Sequence, residues 1–120
     1  MSGVLLDSIL SELSDACSDI EASAIISADG FMVESRLPRS INQDRVSAMS
    51  AAIVSLGNRA TEELVRGECE QILIKGKEGY LLMMDTGKLA ALIVMIKSGS
   101  NLVSIFPAVK RAVARIAQAI

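Results

Sequence analysis

Apolar residues recur at every third or fourth position from Val4 to Cys17, and polar residues fall mostly between them. This spacing predicts an amphipathic helix. Two short apolar runs follow at residues 24–27 and 31–35, on either side of Ala28-Asp29-Gly30. Because an Asp-Gly pair readily adopts the positive φ angles of a tight turn, these runs are predicted to form an antiparallel hairpin.

A long second helix is predicted from about Gln43 to Val65. Leu37-Pro38-Arg39 ends the preceding strand, since proline cannot donate to a sheet, and residues 40–43 supply a capping box led by Ser40. One stripe of this helix consists mainly of large apolar groups at spacings of three and four, and we expect it to lie on the sheet. Its members are Val46, Met49, Ile53, Leu56, Ala60 and Leu64.

A second stripe of the same helix consists of small side chains. Small groups let another backbone approach closely, so this stripe favours contact with another helix. The alternative is that alanine is only a good helix former on an exposed face. The stripe comprises Ala48, Ala51, Ala52 and Ser55, with Arg59 one turn further on.

Three more strands, separated by two glycine-containing turns, are predicted between residues 70 and 96. Gln71–Lys75 and Tyr80–Met84 flank the first turn, and Asp85–Lys88 leads into the unbroken apolar run Leu89–Ile96. That run is apolar on both faces and is therefore predicted to be a central strand. The strand around 70–75 needs a meander neighbour on only one side. Its apolar centre has no proline or charge, so it is predicted to be an unprotected edge strand.

The helical period returns after Ser98-Gly99-Ser100-Asn101 and continues to Ile120. Pro107 leaves two alternatives: it is the first residue of this helix, or it kinks a helix that begins one turn earlier. The order helix, two strands, helix, three strands, helix predicts an α+β fold with α/β/α layers. A five-stranded antiparallel sheet would carry the long helix on one face and the two terminal helices on the other. We expect a single domain spanning residues 1–120.

Composition and charge narrow the functional classes. The chain has 120 residues, 51% of them apolar, and a net charge of −2, which argues against nucleic-acid partners. It contains no histidine, the commonest general base and zinc ligand. The longest apolar run is far shorter than the roughly 20 residues that span a bilayer. We therefore expect a cytoplasmic, non-enzymatic protein that has no cofactor or metal and does not insert into membranes.

The motifs that resemble catalytic or ligand-binding sites have simpler explanations. Glu62 and Glu63 are neighbours on a helix and point in different directions, so they do not form a cooperating acid and base. The segment Gly76-Lys77-Glu78-Gly79 holds a lysine between glycines, but it connects two strands. It therefore lacks the helix N-terminus on which a phosphate-binding loop depends.

The order and spacing of several short motifs resemble the roadblock family of dynein light chains and GTPase regulators, over nearly the whole chain. A profilin-like or longin-type sheet domain is the alternative. The motifs, besides the alanine-rich long helix, are Ala28-Asp29-Gly30-Phe31, Gly76-Lys77-Glu78-Gly79-Tyr80 and Ser100-Asn101-Leu102. The resemblance implies a homodimer, or a heterodimer with a roadblock paralogue, in which the second helices pack together and the third strands join two sheets. It also implies that a small Ras-like GTPase, or a larger motor or signalling assembly, docks on that composite surface.

The residue pattern and the resemblance agree on the elements that self-associate, the small-residue stripe and the edge strand. The predicted dimer-interface residues are Ala48, Ala51, Ala52, Ser55, Arg59, Ile72 and Ile74. No family signature assigns residues to a GTPase contact. The leading hypothesis is a non-catalytic dimeric scaffold or regulator of a GTPase or larger assembly. The alternative is a small-ligand-binding sensory module, with a pocket between the sheet and the terminal helices.

Overall fold

The computed structural model describes residues 3–87 and 89–120, and within these ranges the chain forms three helices and one five-stranded sheet. The helices are α1 (Gly3–Ala16), α2 (Gln43–Glu63) and α3 (Leu102–Ala119). The strands are β1 (Ile20–Ser27), β2 (Met32–Arg36), β3 (Gln71–Gly76), β4 (Gly79–Asp85) and β5 (Ala90–Lys97). The predicted element order is confirmed. Lys88 of the second predicted turn, and residues 1 and 2 of the predicted domain, lie outside the described residues.

The sheet is antiparallel at every pairing described, with the strand order β2-β1-β5-β4-β3. The predictions of a β1–β2 hairpin, a central β5 and an edge position for β3 are confirmed. In the hairpin turn Gly30 has a φ of 93°, whereas Asp29 keeps a negative φ. One glycine therefore supplies the positive φ angle of this turn.

The two faces of the sheet are covered unequally. The main core lies between the sheet and the α1/α3 layer, where Leu10, Leu92, Val109 and Ile116 are fully buried. A smaller core lies under α2. Its buried members are Ile26, Met83, Ala91 and Ile93. The predicted three-layer arrangement is confirmed, with two helices on one face and α2 alone on the other.

The structure resolves the alternatives for the last helix, because α3 begins at Leu102 and contains Pro107. Asn101 caps it by accepting a hydrogen bond from the Val103 backbone N–H at 3.1 Å. A proline inside a helix leaves the carbonyl group four residues earlier without its helical partner. Both Pro107 and Val103 are exposed, so water can hydrate that carbonyl.

The capping box predicted at the start of α2 is wrong. Asn42, not Ser40, is the N-cap, and its side chain accepts a hydrogen bond from the Arg45 backbone N–H at 3.0 Å. The Gln43 side chain does not turn back to cap the helix, since its amide donates to the Ser35 Oγ at 2.8 Å. This last contact ties the start of α2 to β2 at one edge of the sheet.

Candidate self-association surface

Mainly small residues, together with Val54 and with Ile53 of the predicted large stripe, pack α2 on the sheet. Ser47 and Ser50 are only 2% and 1% exposed, and Ala51 and Val54 pack against the smaller core. At Gly57 the helix passes so close to β3 that an added Cβ would lie 2.6 Å from the Ile72 Cδ1. The helix therefore starts beside β2 and reaches β3 in its C-terminal half.

The predicted placement of the large stripe is wrong for most of its members. Met49, Leu56 and Leu64 are 49%, 64% and 69% exposed. The sheet beneath α2 is already filled by bulky side chains such as Met83 and Ile93, so small groups at the centre of the contact let the helix backbone come near. Met49, Leu56 and Leu64 are displaced to one side of the helix and remain largely uncovered, whereas Ile53 is half-buried against the smaller core.

Two flanks of α2 can be defined from its contacts with the sheet and from the roughly 100° that separates successive helical residues. The β3-side flank faces β4 and β3, as the approach of Gly57 to Ile72 shows. It carries Met49, Ile53, Leu56, Ala60 and Leu64. The hairpin-side flank faces the β1–β2 turn, because a Cβ on Gly30 would lie 3.8 Å from the Ala48 Cα and the Ala51 Cβ.

The structure divides the seven predicted interface residues between these flanks. Ala48, Ala51, Ser55 and Arg59 belong to the hairpin-side flank, where all but the half-buried Ala51 are exposed. Ala52 is exposed on the outer side of the helix, between the flanks. Ile72 and Ile74 lie on β3, beside the other flank. The seven residues thus do not form one continuous surface within the chain, and their role in a dimer stays a prediction.

Strand β3 leaves an apolar edge open to solvent. Among the described strands it pairs only with β4, and its Leu73 and Ile74 are 41% and 42% exposed. The opposite edge, β2, contains Glu34 and Arg36 and has an irregular register with β1. Charges and bulges are features that protect an edge strand from pairing with another chain. The β3 edge has neither in its apolar centre.

The β3-side flank and the β3 edge form one surface, which we call the open apolar surface. Ile72 and Ile74 pair with Met83 and Leu81 in the face of the sheet that α2 covers, so they lie beside the flank. Its members are Met49, Ile53, Leu56, Ala60, Leu64, Ile72 and Ile74. The sequence reasoning missed its helical half. A signal for it existed, because Ser47, Ser50, Val54 and Gly57 have helical spacing and provide a narrower face for packing on a sheet.

Two properties of the described residues bear on other functional classes. Within residues 3–87 and 89–120, no group of His, Cys, Asp and Glu side chains is arranged to hold a metal ion. Of the helices in these ranges, none is long and apolar enough to cross a membrane.

A three-layer α+β domain that leaves an edge strand and an adjoining helix flank apolar and uncovered is typical of protein–protein interaction modules. The chain belongs to the Roadblock/LC7 domain family, whose model matches residues 6–97. This match confirms the resemblance drawn from the short sequence motifs. Membership supports a regulatory, non-enzymatic role.

Individual relatives agree with this assignment. The uncharacterized protein MJ1340 of Methanocaldococcus jannaschii is 33% identical over 112 residues, which cover 93% of this chain and 96% of that protein. Among solved structures, Myxococcus xanthus MglB has a TM-score of 0.90 at 14% identity, covering 98% of this chain and 88% of that one. A Roadblock/LC7 domain from Streptomyces avermitilis has a TM-score of 0.84 at 18% identity, covering 92% of each chain. The predicted fold class is confirmed.

Proposed function

We propose that the chain forms a twofold dimer through the open apolar surface, and that this dimer is a non-catalytic scaffold or regulator for a small Ras-like GTPase or a larger motor or signalling assembly. The observation that carries the proposal is the continuity of an unprotected apolar edge strand with an exposed apolar helix flank. Each feature alone is a liability in a monomer, because it invites non-specific association. Together they form a self-complementary surface.

Antiparallel pairing of β3 with the β3 strand of a second copy would join the two sheets into one. Since α2 crosses toward β3 at Gly57, the β3-side flanks of both copies would then meet above the joint. Burying a large aliphatic side chain contributes about 1.5–3 kcal/mol, and twofold symmetry counts each contact twice. Met49, Leu56, Leu64 and Ile74 all have exposed apolar area to contribute.

The identity of the partners rests on the family. A roadblock paralogue with the same edge strand and helix flank would fit in place of the second copy and give a heterodimer. The GTPase is proposed because the family includes GTPase regulators, and no residue of this chain is assigned to that contact. The proposed dimer leaves the hairpin-side flank exposed, including Ala48, Ser55 and Arg59. We propose further that this scaffold is a cytoplasmic protein and that residues 1–120 form one domain.

Sedimentation equilibrium across a dilution series tests the dimer, and two adjacent substitutions test the flank that forms it. Leu56→Glu places a charge on the β3-side flank and is expected to give a monomer. Ser55→Glu places the same charge on the hairpin-side flank and is expected to leave the dimer intact. Circular dichroism establishes that both variants remain folded. If Ser55→Glu dissociates the dimer and Leu56→Glu does not, the interface lies on the stripe predicted from the sequence and not on the open apolar surface.

The GTPase part of the proposal has a separate test. Purified small Ras-like GTPases from the same organism, loaded with GDP or with a non-hydrolysable GTP analogue, are mixed with the chain. Complex formation is followed by analytical gel filtration. We expect a complex that prefers one nucleotide state, changes the rate of hydrolysis or exchange, and is lost with Leu56→Glu. Absence of a complex with every GTPase tested would overturn this part and leave the dimer unaffected.

A further inference from the structure

An apolar groove lies on the α2 side of the sheet, between the N-terminal half of α2 and strands β4 and β5. Its volume is about 280 Å³, just below the roughly 300–1,000 Å³ typical of small-molecule pockets. Apolar side chains line most of it, among them Leu37, Ile41, Val46, Met49, Leu81 and Met95. All of these except the exposed Met49 are half-buried, so the groove is bounded by apolar surface that the fold leaves incompletely covered.

One polar group in the groove has no partner. Ser50 lines it and is only 1% exposed, yet its Oγ forms no hydrogen bond. Ser47, one turn earlier on α2, is equally buried, but its Oγ donates to the Asp44 backbone carbonyl at 3.1 Å. A buried hydroxyl without a partner costs free energy. A molecule in the groove that exchanges a hydrogen bond with Ser50 would recover that cost.

The charges around the groove define the ligand further. Glu21 and Glu78 are its charged lining residues, both are exposed, and no described lining residue is basic. Two carboxylates repel an anionic head group, so a fatty acid is disfavoured. We propose that the groove binds a small uncharged aliphatic molecule with one hydroxyl or carbonyl group, which is held by the Ser50 Oγ.

The proposed site has a consequence for self-association. Met49 belongs both to the groove and to the open apolar surface. A molecule in the groove and a second copy of the chain would therefore compete for the same part of α2. This consequence rests on the proposed function, whereas ligand binding itself does not.

Titration of ¹⁵N-labelled protein with 1-octanol, followed by amide chemical shifts, tests the site. We expect saturable shifts around Val46, Ser50, Leu81 and Met95, and a weaker response to octanoate. Ser50→Ala is expected to weaken octanol binding about tenfold, because the hydrogen bond is lost. Ser47→Ala removes a hydroxyl that does not line the groove and should bind octanol as the wild type does. The proposal is overturned if neither the wild type nor Leu56→Glu shows saturable shifts up to the solubility limit, or if Ser50→Ala does not weaken octanol binding.

Repeating the titration on Leu56→Glu separates this proposal from the proposed dimer. If the wild type is a dimer and only the monomeric variant binds octanol, the groove is a ligand site that the second copy covers, and the proposal stands. If neither protein binds octanol, the ligand site is disproved whatever the solution mass. Failure of the dimer would appear instead as a monomeric wild-type mass in the absence of octanol.

Discussion

Val65 adopts a backbone conformation that its own side chain disfavours. It follows the C-cap of α2 with a φ of 55°, in the left-handed region. Its backbone N–H donates to the Glu62 carbonyl, and the Arg66 N–H donates to the Thr61 carbonyl. This pair of bonds is the Schellman arrangement that ends many helices, and glycine usually occupies the left-handed position. A β-branched residue there is strained, and at 81% exposed Val65 gains little from packing in return.

Val65→Gly is therefore expected to stabilise the protein. Relief of the strain is worth about 1–3 kcal/mol, and the greater freedom of glycine in the unfolded chain offsets up to about 1 kcal/mol. The net gain in the free energy of unfolding should be about 1 kcal/mol, measured by urea denaturation at fixed protein concentration. Leu64→Gly is the matched control, because Leu64 has a φ of −90° and no strain to relieve. A Val65→Gly protein no more stable than the wild type would contradict this account.

The end of α2 also shows a limit of sequence reasoning at the residue scale. The helix was predicted to continue to about Val65, whereas its last helical residue is Glu63. Valine carries no stop signal, and the nearest glycine is Gly67. The capping bonds that set the end depend on backbone angles, which side-chain patterns do not specify when a non-glycine residue takes the left-handed position.

Helix α2 shows that apolar periodicity predicts the existence of a helix but not which of its faces packs on the sheet. Its existence followed from the spacing of apolar groups, and its start at about Gln43 was predicted, although the capping box predicted there does not form. The choice of face did not follow from that spacing. Apolar groups buried against the chain's own sheet and apolar groups left for a partner produce the same helical period. Here Ser47 and Gly57 lie on the side of α2 that packs on the sheet, and Leu56 remains exposed.

Because α2 lies close to β3 at Gly57, a larger residue at this position is expected to lower the free energy of unfolding. A Cβ at this position would lie 2.6 Å from the Ile72 Cδ1 and 3.4 Å from the Cys69 Sγ. Gly57→Val adds two methyl groups beyond that Cβ, and overpacking of this kind typically costs about 1–3 kcal/mol. We expect a loss of about 2 kcal/mol in the free energy of unfolding, measured by urea denaturation.

Ala52→Val is the matched control for this prediction, since Ala52 is exposed on the same helix. It should lose only the difference in helix propensity, roughly 0.5 kcal/mol. Equal losses for the two variants would show that α2 does not approach β3 closely at Gly57.

At the scale of the whole molecule, the sequence predicted the strand order of the sheet more completely than the packing of the helices on it. The position of β5 at the centre followed from an apolar run with no polar face, and the edge position of β3 followed from the meander. Strand β1 begins at Ile20, earlier than predicted. Its first residues were missed because Glu21 and Ser23 interrupt the apolar pattern. Ser23 is nonetheless 1% exposed. Burial of such a residue is set by its neighbours across the sheet, which a single segment of sequence does not contain.

Because the two cores differ in size, we expect the stability of the fold to depend on dimer formation. The α1/α3 side is closed by a large core, whereas the α2 side has a small core and an uncovered apolar surface. If a second copy covers that surface, association stabilises the folded state by mass action. The wild-type melting temperature should then rise with protein concentration, by about 5 °C over a roughly hundredfold range. Differential scanning calorimetry measures this directly.

Two variants determine whether the open apolar surface is responsible for that rise. Leu56→Glu should melt at a lower temperature that does not depend on concentration, because its monomer gains nothing from mass action. Val103→Glu changes a side chain that is 79% exposed on α3, outside the open apolar surface, and should keep the wild-type dependence. A wild-type melting temperature that stays constant across the range would mean that the small core under α2 suffices for folding. In that case the open apolar surface would bind a partner other than a second copy of the chain.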